Sequence, residues 1–278
     1  MAFKDILVHV DNSRQGRSRL KAAVQLAARH DAHLIGLYVM HLPEIPNYVR
    51  VQMTEDVLRL SRESALADAA TAEAMFEEAA RPILAKCEWR CIEGKPLPTL
   101  ALHARYADVA IVGQRDDSGE GFMSPDIPDQ LVLSAGRPML VIPCVGEYPV
   151  IGERVMVAWD ASRLATRAAN DALPILIGAK QVFVIAVNPS AEDGEGHGEI
   201  PSADICLHLA RHGVNAEAQH VFADDLGVGE MLLSRAADEG CDLIVLGAWG
   251  HARWRELVLG GVTRHILTHM TLPALMSH

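Results

Sequence analysis

At 278 residues the chain is long enough for two domains of about 140 residues each. It is 50% hydrophobic but only 5% aromatic, so aliphatic residues and alanine must fill the cores. A net charge of −11 argues against a nucleic-acid backbone or an anionic membrane as the main partner. Any anionic ligand must then be held by local dipoles and a few cations. No uninterrupted apolar run is long enough to span a bilayer, and no signal-peptide pattern precedes the first apolar segment. The five cysteines (Cys87, Cys91, Cys144, Cys206 and Cys241) are scattered and read as reduced thiols, so the expected location is the cytoplasm.

Ile6 to Asp11 is an apolar run ended by an acid and predicts a buried strand. Asn12-Ser13 then offers an N-cap, and Arg17 to Arg29 carries Leu20, Ala23, Val24 and Ala27 at helical spacing. His33 to Val39 predicts a second strand, Thr54 to Lys86 a long Ala/Glu/Arg-rich helical stretch, and Glu88 to Ile92 a third strand. Ala107 to Gly113 and Arg137 to Ile142 supply two more strands. Cys144 to Glu153 contains Gly146, Pro149 and Gly152 and reads as a linker, which divides the chain into domains 1–146 and 150–278.

Beyond the linker the pattern returns. Val155 to Asp160 is again a strand ended by an acid, Ala161-Ser162 matches Asn12-Ser13, a helix runs to about Ile177, and Gln181 to Val187 is a strand. Pro189 to Gly198 is a polar, acidic, Gly-rich loop, followed by a helix from about Ser202 to His212 and a strand over Ala218 to Phe222. Asp11 and Asp160 are 149 residues apart, Gly113 and Gly247 are 134 apart, and Pro138 and Pro273 are 135 apart. The halves are therefore repeats with different insertions. Strands alternating with helices predict an α/β fold: two tandem doubly wound domains, each an open five-stranded parallel sheet with helices on both faces.

The last strand-to-helix connection is the most informative stretch. Cys241 to Leu246 is a short apolar run closed by Gly247, and Gly260-Gly261 stand before an apolar-periodic segment from Val262 to Met270. Glycines present backbone N–H groups unobstructed, and a helix start adds the positive end of its dipole, so the stretch suits an anion such as a polyphosphate. Neither Gly-x4-Gly-Lys-Ser/Thr nor Gly-x-Gly-x-x-Gly is present; the spacing is Gly247-x2-Gly250-x9-Gly260.

This spacing resembles the ATP-binding signature of the universal stress protein family, Gly-x2-Gly-x9-Gly-Ser/Thr. The flanking Trp249, His251, Arg253, Arg255-Glu256 and Gly261 to His265 are similar to the version found in bacterial members. One departure stands out: Gly261 replaces the usual Ser/Thr, although Thr263 keeps a hydroxyl two residues on. The resemblance implies that Asp160, after the first strand, contacts ribose or adenine, that the backbone at Val187 contacts adenine, and that the glycine loop wraps the phosphates. The implied nucleotide-binding set is Ala158, Asp160, Val187, Gly247, Gly250, His251, Gly260, Gly261, Val262 and Thr263, with ATP as cofactor, alone or with magnesium. Because the family pairs through its last strand, the resemblance also implies that Met139–Ile142 and Ala274–Met276 meet about a pseudo-two-fold axis. A helix-capping role for Asp160 is the competing reading.

The first half departs from the same pattern. Counting back from the aligned prolines, Pro125 falls at Gly260, Asp126 at Gly261 and Pro128 at Thr263, and Asp116, Asp117 and Glu120 add carboxylates nearby. Proline removes a donor and a carboxylate competes with phosphate, so this half reads as a degenerate site. The pairs His208/His212 and His265/His269 have i, i+4 spacing but no Glu completing a zincin motif, so packing or surface roles are expected rather than a metal. The expected function is that of a stress-response protein binding an adenine nucleotide through its second half, with no catalytic residue assigned. A nucleotide-independent interaction scaffold or a weak ATPase is the alternative, and homo-oligomerisation and the protein partner are left open.

Overall fold

The computed structural model describes residues 2–42, 55–115, 127–187, 201–222, 227–248 and 261–278. The first half runs β1 (Asp5–His9), α1 (Arg14–His30), β2 (His33–Met40), α2 (Glu55–Ala80), β3 (Cys87–Glu93), α3 (Pro96–Ala104), β4 (Val109–Gly113), α4 (Ile127–Ser134) and β5 (Met139–Ile142). The second runs β6 (Arg154–Ala158), α5 (Arg163–Asp171), α6 (Leu173–Leu176), β7 (Gln181–Val187), α7 (Pro201–Arg211), β8 (Ala216–Val221), α8 (Val228–Asp238), β9 (Leu243–Gly247), α9 (Gly261–His269) and β10 (Ala274–Ser277). Two expected helices are interrupted. The stretch to Lys86 leaves α-geometry at Arg81–Lys86, where Pro82 lacks the donor that would continue α2. The helix expected to reach Ile177 breaks at Ala172, two residues before Pro174, into α5 and α6.

Within each half the five strands are parallel, and the first strand lies beside the fourth. The two sheets do not stay separate. They form one ten-stranded sheet in the order β3-β2-β1-β4-β5-β10-β9-β6-β7-β8. The joint is antiparallel, with Val141 opposite Ala274, Leu140 opposite Leu275 and Met139 opposite Met276. Leu140 and Leu275 occupy the same position in the two repeats, so the pseudo-two-fold axis passes through that pair. Pairing β5 with β10 satisfies a row of edge N–H and C=O groups that either half alone would expose.

Strand alternation sends residues to two apolar layers: Ile6 and Val8 belong to one, Leu7 to the other. The repeats share a further device. Asp108 accepts from the Lys4 and Asp5 amides at 2.6 and 3.1 Å, and Asp242 accepts from the Gly152, Glu153 and Arg154 amides at 2.7, 3.0 and 3.2 Å. Each carboxylate ties the entry of a fourth strand to the entry of a first strand. Contacts also cross between halves: Arg29 donates to the Ile151 and Gly178 carbonyls at 2.8 and 2.9 Å, and Arg167 to the Gly136 carbonyl at 3.0 Å. Among the described residues no helix is long and apolar enough to cross a membrane.

Candidate functional site

In the second half the chain leaves β6 toward β7 on one side and returns through β9 on the other. Between the carboxyl ends of β6 and β9 the strand order reverses, which is where an open parallel sheet leaves a crevice. A cavity of about 150 Å³ lies there. Of the ten residues expected to bind nucleotide, seven line it: Ala158, Asp160, Val187, Gly247, Gly261, Val262 and Thr263. Gly250, His251 and Gly260 lie outside the described residues, as do Pro125 and Asp126 of the first half.

The walls include residues that sequence reasoning did not single out. Ile185 and Leu246 come from the strand tips, Val228 and Leu232 from α8, and Trp159 and Ala165 from the turn and first turn after β6, where Ser162, expected only as a cap, joins them. Val228 and Leu232 are four apart on one helical face, a spacing that by itself indicates only packing. The floor is therefore apolar and the rim polar.

At the rim, the Ser162 hydroxyl accepts from the Ala165 amide at 3.1 Å and caps α5, while an Asp160 carboxylate oxygen accepts from the Ser162 amide at 3.0 Å. Ser162, not Asp160, is the helix cap; Asp160 shapes the preceding turn, which passes through Ala161 at φ 57°. Gly247 is explained by packing. A Cβ there would come within 2.6 Å of the Leu164 carbonyl carbon and 2.7 Å of the Ala165 amide nitrogen, so the strand end and α5 require glycine whether or not a ligand binds. Gly261 is the opposite case: among the described residues a Cβ there meets nothing within 4 Å, and its φ lies outside the left-handed region. Thr263 is buried in the first turn of α9.

The first half places different side chains at the matching point. Arg19, on α1, donates from Nε to the His9 carbonyl at 2.8 Å and from Nη2 to Asp11 Oδ2 at 2.8 Å. Asp11 also accepts from the Ser13 amide at 3.1 Å. Burial works against the Asp11 charge, but Arg19, His9 and the Ser13 and Arg19 hydrogen bonds outweigh it and hold the carboxyl well below its usual range. A cavity of about 40 Å³ lies at the tips of β1 and β2, lined by His9, Asp11 and Tyr38 and, from α2, Ala65 and Asp68. Among the described residues no three His, Cys, Asp or Glu side chains cluster to hold a metal. The His208/His212 and His265/His269 rings lie against each other at 4.8 and 4.4 Å.

His9 gives the site a pH signature. Burial first, and Arg19 next, push its imidazole down to about 4, against the opposing effect of Asp11. The unfolded chain, titrating near 6.5, takes up this proton more readily than the folded one. The stability involved is complete above about pH 6.5 and is lost as pH falls toward about 4, by on the order of 3 kcal/mol. His30, lowered to about 4 mainly by burial, acts in the same window. Urea midpoints should therefore fall between pH 7 and pH 4.5, and His9→Gln should flatten that limb by about half. A slope unaltered by the substitution would exclude His9 as its source.

A profile described as Usp, Universal stress protein family, matches residues 2–143 and 152–278. Universal stress protein Slr1230 from Synechocystis sp. (strain ATCC 27184 / PCC 6803 / Kazusa) is 24% identical over 176 residues, covering 60% of this chain and 57% of that relative. The crystal structure of a universal stress protein from Archaeoglobus fulgidus DSM 4304 matches with a TM-score of 0.73 at 15% identity, over 98% of this chain and 95% of that one. The functionally unknown protein PA1789 from Pseudomonas aeruginosa PAO1 matches with a TM-score of 0.62 at 15% identity, over 99% and 92% of the two chains. At such identities the structural likeness speaks for the fold, and the family profile, which spans both halves, speaks for descent. The chain belongs to the universal stress protein family and carries its domain twice in tandem.

Proposed function

We propose that this universal stress protein binds an adenine nucleotide, ATP, in the pocket of its second half and acts as a nucleotide-dependent regulatory protein. The two functional units are taken as residues 1–146 and 150–278, with the nucleotide in the latter. One observation carries the reading: residues far apart in sequence, from Ala158 and Asp160 through Val187 to Gly247 and Gly261–Thr263, line one cavity at the strand-order reversal. Its apolar floor of Ile185, Leu232 and Leu246 suits the faces of a base. The Asp160 carboxylate suits ribose hydroxyls, and the amino end of α9, a helix of 9 residues, suits phosphate. Among the described lining residues Asp160 is the one acid and it accepts from the Ser162 amide, so binding is supported better than catalysis.

Isothermal titration with ATP, with and without magnesium, tests the proposal. Asp160→Ala should weaken binding by about tenfold, the loss of a charge-assisted hydrogen bond worth about 1.5 kcal/mol. Gly261→Ser should keep or strengthen binding, because the added side chain meets no described residue and supplies a hydroxyl at the helix start. No heat of binding in the parent chain, together with no nucleotide released from freshly purified protein, would transfer the assignment to a ligand-free scaffold.

A further inference from the structure

The two halves diverge at a point where two side chains replace two alanines. His9 and Ala158 end the first strand of each repeat, and Arg19 and Ala168 stand at the same distance past the capping serines Ser13 and Ser162. Around Gly247 the backbone of α5 lies against the strand end, and Ala168 leaves nothing to insert between them. Around Gly113 the neighbour is different: a Cβ there would come within 2.5 Å of Arg19 Nη1. The guanidinium thus sits at the tip of β4, bonded to the His9 carbonyl and the Asp11 carboxylate at 2.8 Å each. Arg19 is 3% exposed and His9 is 4% exposed. His9 Nδ1 stands 3.8 Å from Asp11 Oδ2.

We infer that Arg19 and His9 are the built-in occupants of the first-half pocket and determine that the ligand enters the second half alone. The assignment rests on reading the second-half pocket as the ligand site, and it differs in cause from the carboxylates and prolines of residues 116–128. Asp11, counterpart of the acid expected to meet ribose, is engaged by Arg19 and is withheld from any ligand. Displacing the guanidinium would leave a buried carboxylate without its cation, and a neutral ribose cannot replace that partner. The second half has Ala158 and Ala168 at these positions, so Asp160 stays at the rim and the cavity stays open.

The experiment uses the full chain and restores the alanines of the second half: His9→Ala/Arg19→Ala. Adenosine is the probe, because it does not require the phosphate loop, whose first-half counterpart carries Pro125 and Asp126. The parent should take one equivalent and the double variant two, and a variant that stays at one overturns the inference. If the parent takes none, the reading of the second-half pocket fails, and the His9 imidazole followed by NMR decides the rest. In Arg19→Ala, water entering the emptied pocket, together with the loss of the guanidinium's repulsion, should bring that imidazole from about 4 toward the ordinary histidine value near 6.5. An unchanged titration overturns the inference by this route too. Should Arg19→Ala fail to fold because Asp11 is left charged, Arg19→Ala/Asp11→Asn carries the same measurement.

Discussion

Val141→Asp should unfold the chain under conditions in which Val141→Ala leaves it folded. Val141 is fully buried in β5, opposite Ala274 across the joint between halves and beside Val112 of β4. A carboxylate there enters the apolar layer that Val141 shares with Val112 and Ala274, so the penalty is several kcal/mol even if the group protonates. Total stability of a domain is about 5–15 kcal/mol. Loss of the β5–β10 pairing would also strip the backbone partners from two strands that are buried in the intact sheet. Circular dichroism melts should show the Val141→Asp transition lowered by about 10 °C or lost, at roughly 2–4 °C per kcal/mol for chains of this size. Small-angle scattering should show expansion. A melt and scattering profile like those of the parent would mean that the two sheets are not joined as described.

The second large effect is expected at Arg19. Arg19→Met keeps most of the side chain's volume and removes its charge and donors, leaving Asp11, at 15% side-chain exposure, without its main counter-charge. Breaking one side of such a pair costs about 3–5 kcal/mol, whereas an exposed pair such as Lys21–Glu147 contributes about 1 kcal/mol or less. Arg19→Met/Asp11→Asn should recover much of the loss, since the orphaned charge is then absent. Guanidinium denaturation of the parent, both single variants and the double variant gives the coupling energy directly. A coupling near zero would show the Arg19–Asp11 contact to be incidental to stability. The same series reports on the pH limb, because His9 is held down in part by Arg19.

Much of the architecture follows from local pattern alone. Apolar runs such as Ile6 to Val8 and Leu243 to Leu246 have no polar alternation, so they require cover on both faces, and the helices between them supply it. The nearly equal offsets of the later landmarks, 134 between Gly113 and Gly247 and 135 between Pro138 and Pro273, reveal two copies of one unit without reference to any contact, and the offset of 149 between Asp11 and Asp160 marks their different insertions. Gly247 and Thr263, which line the cavity, stood out in the sequence because the stretch that carries them also carries a recognisable spacing. Ile185, Val228 and Leu232 were not, because an apolar residue at helical or strand spacing looks the same whether it faces a core or a cavity.

Other features depend on neighbours in space. Two five-stranded sheets were the reading of the repeats, and the family resemblance implied that their last strands meet; their fusion into one sheet, and its register, depend on Leu140 meeting Leu275, a pairing between strands 135 residues apart. Gly247 reads as a ligand glycine in sequence, yet the approach of α5 requires it independently. Arg19 reads as one more polar residue on a surface helix. Only the packing of α1 over β1 and β4 brings its guanidinium to His9, Asp11 and Gly113, and so closes one pocket while its counterpart stays open. Periodicity along a chain reports which face of an element is apolar, because that depends on successive residues. Burial, charge pairing and the volume left for a ligand depend on what the fold sets opposite, and for Arg19 that includes a glycine 94 residues away.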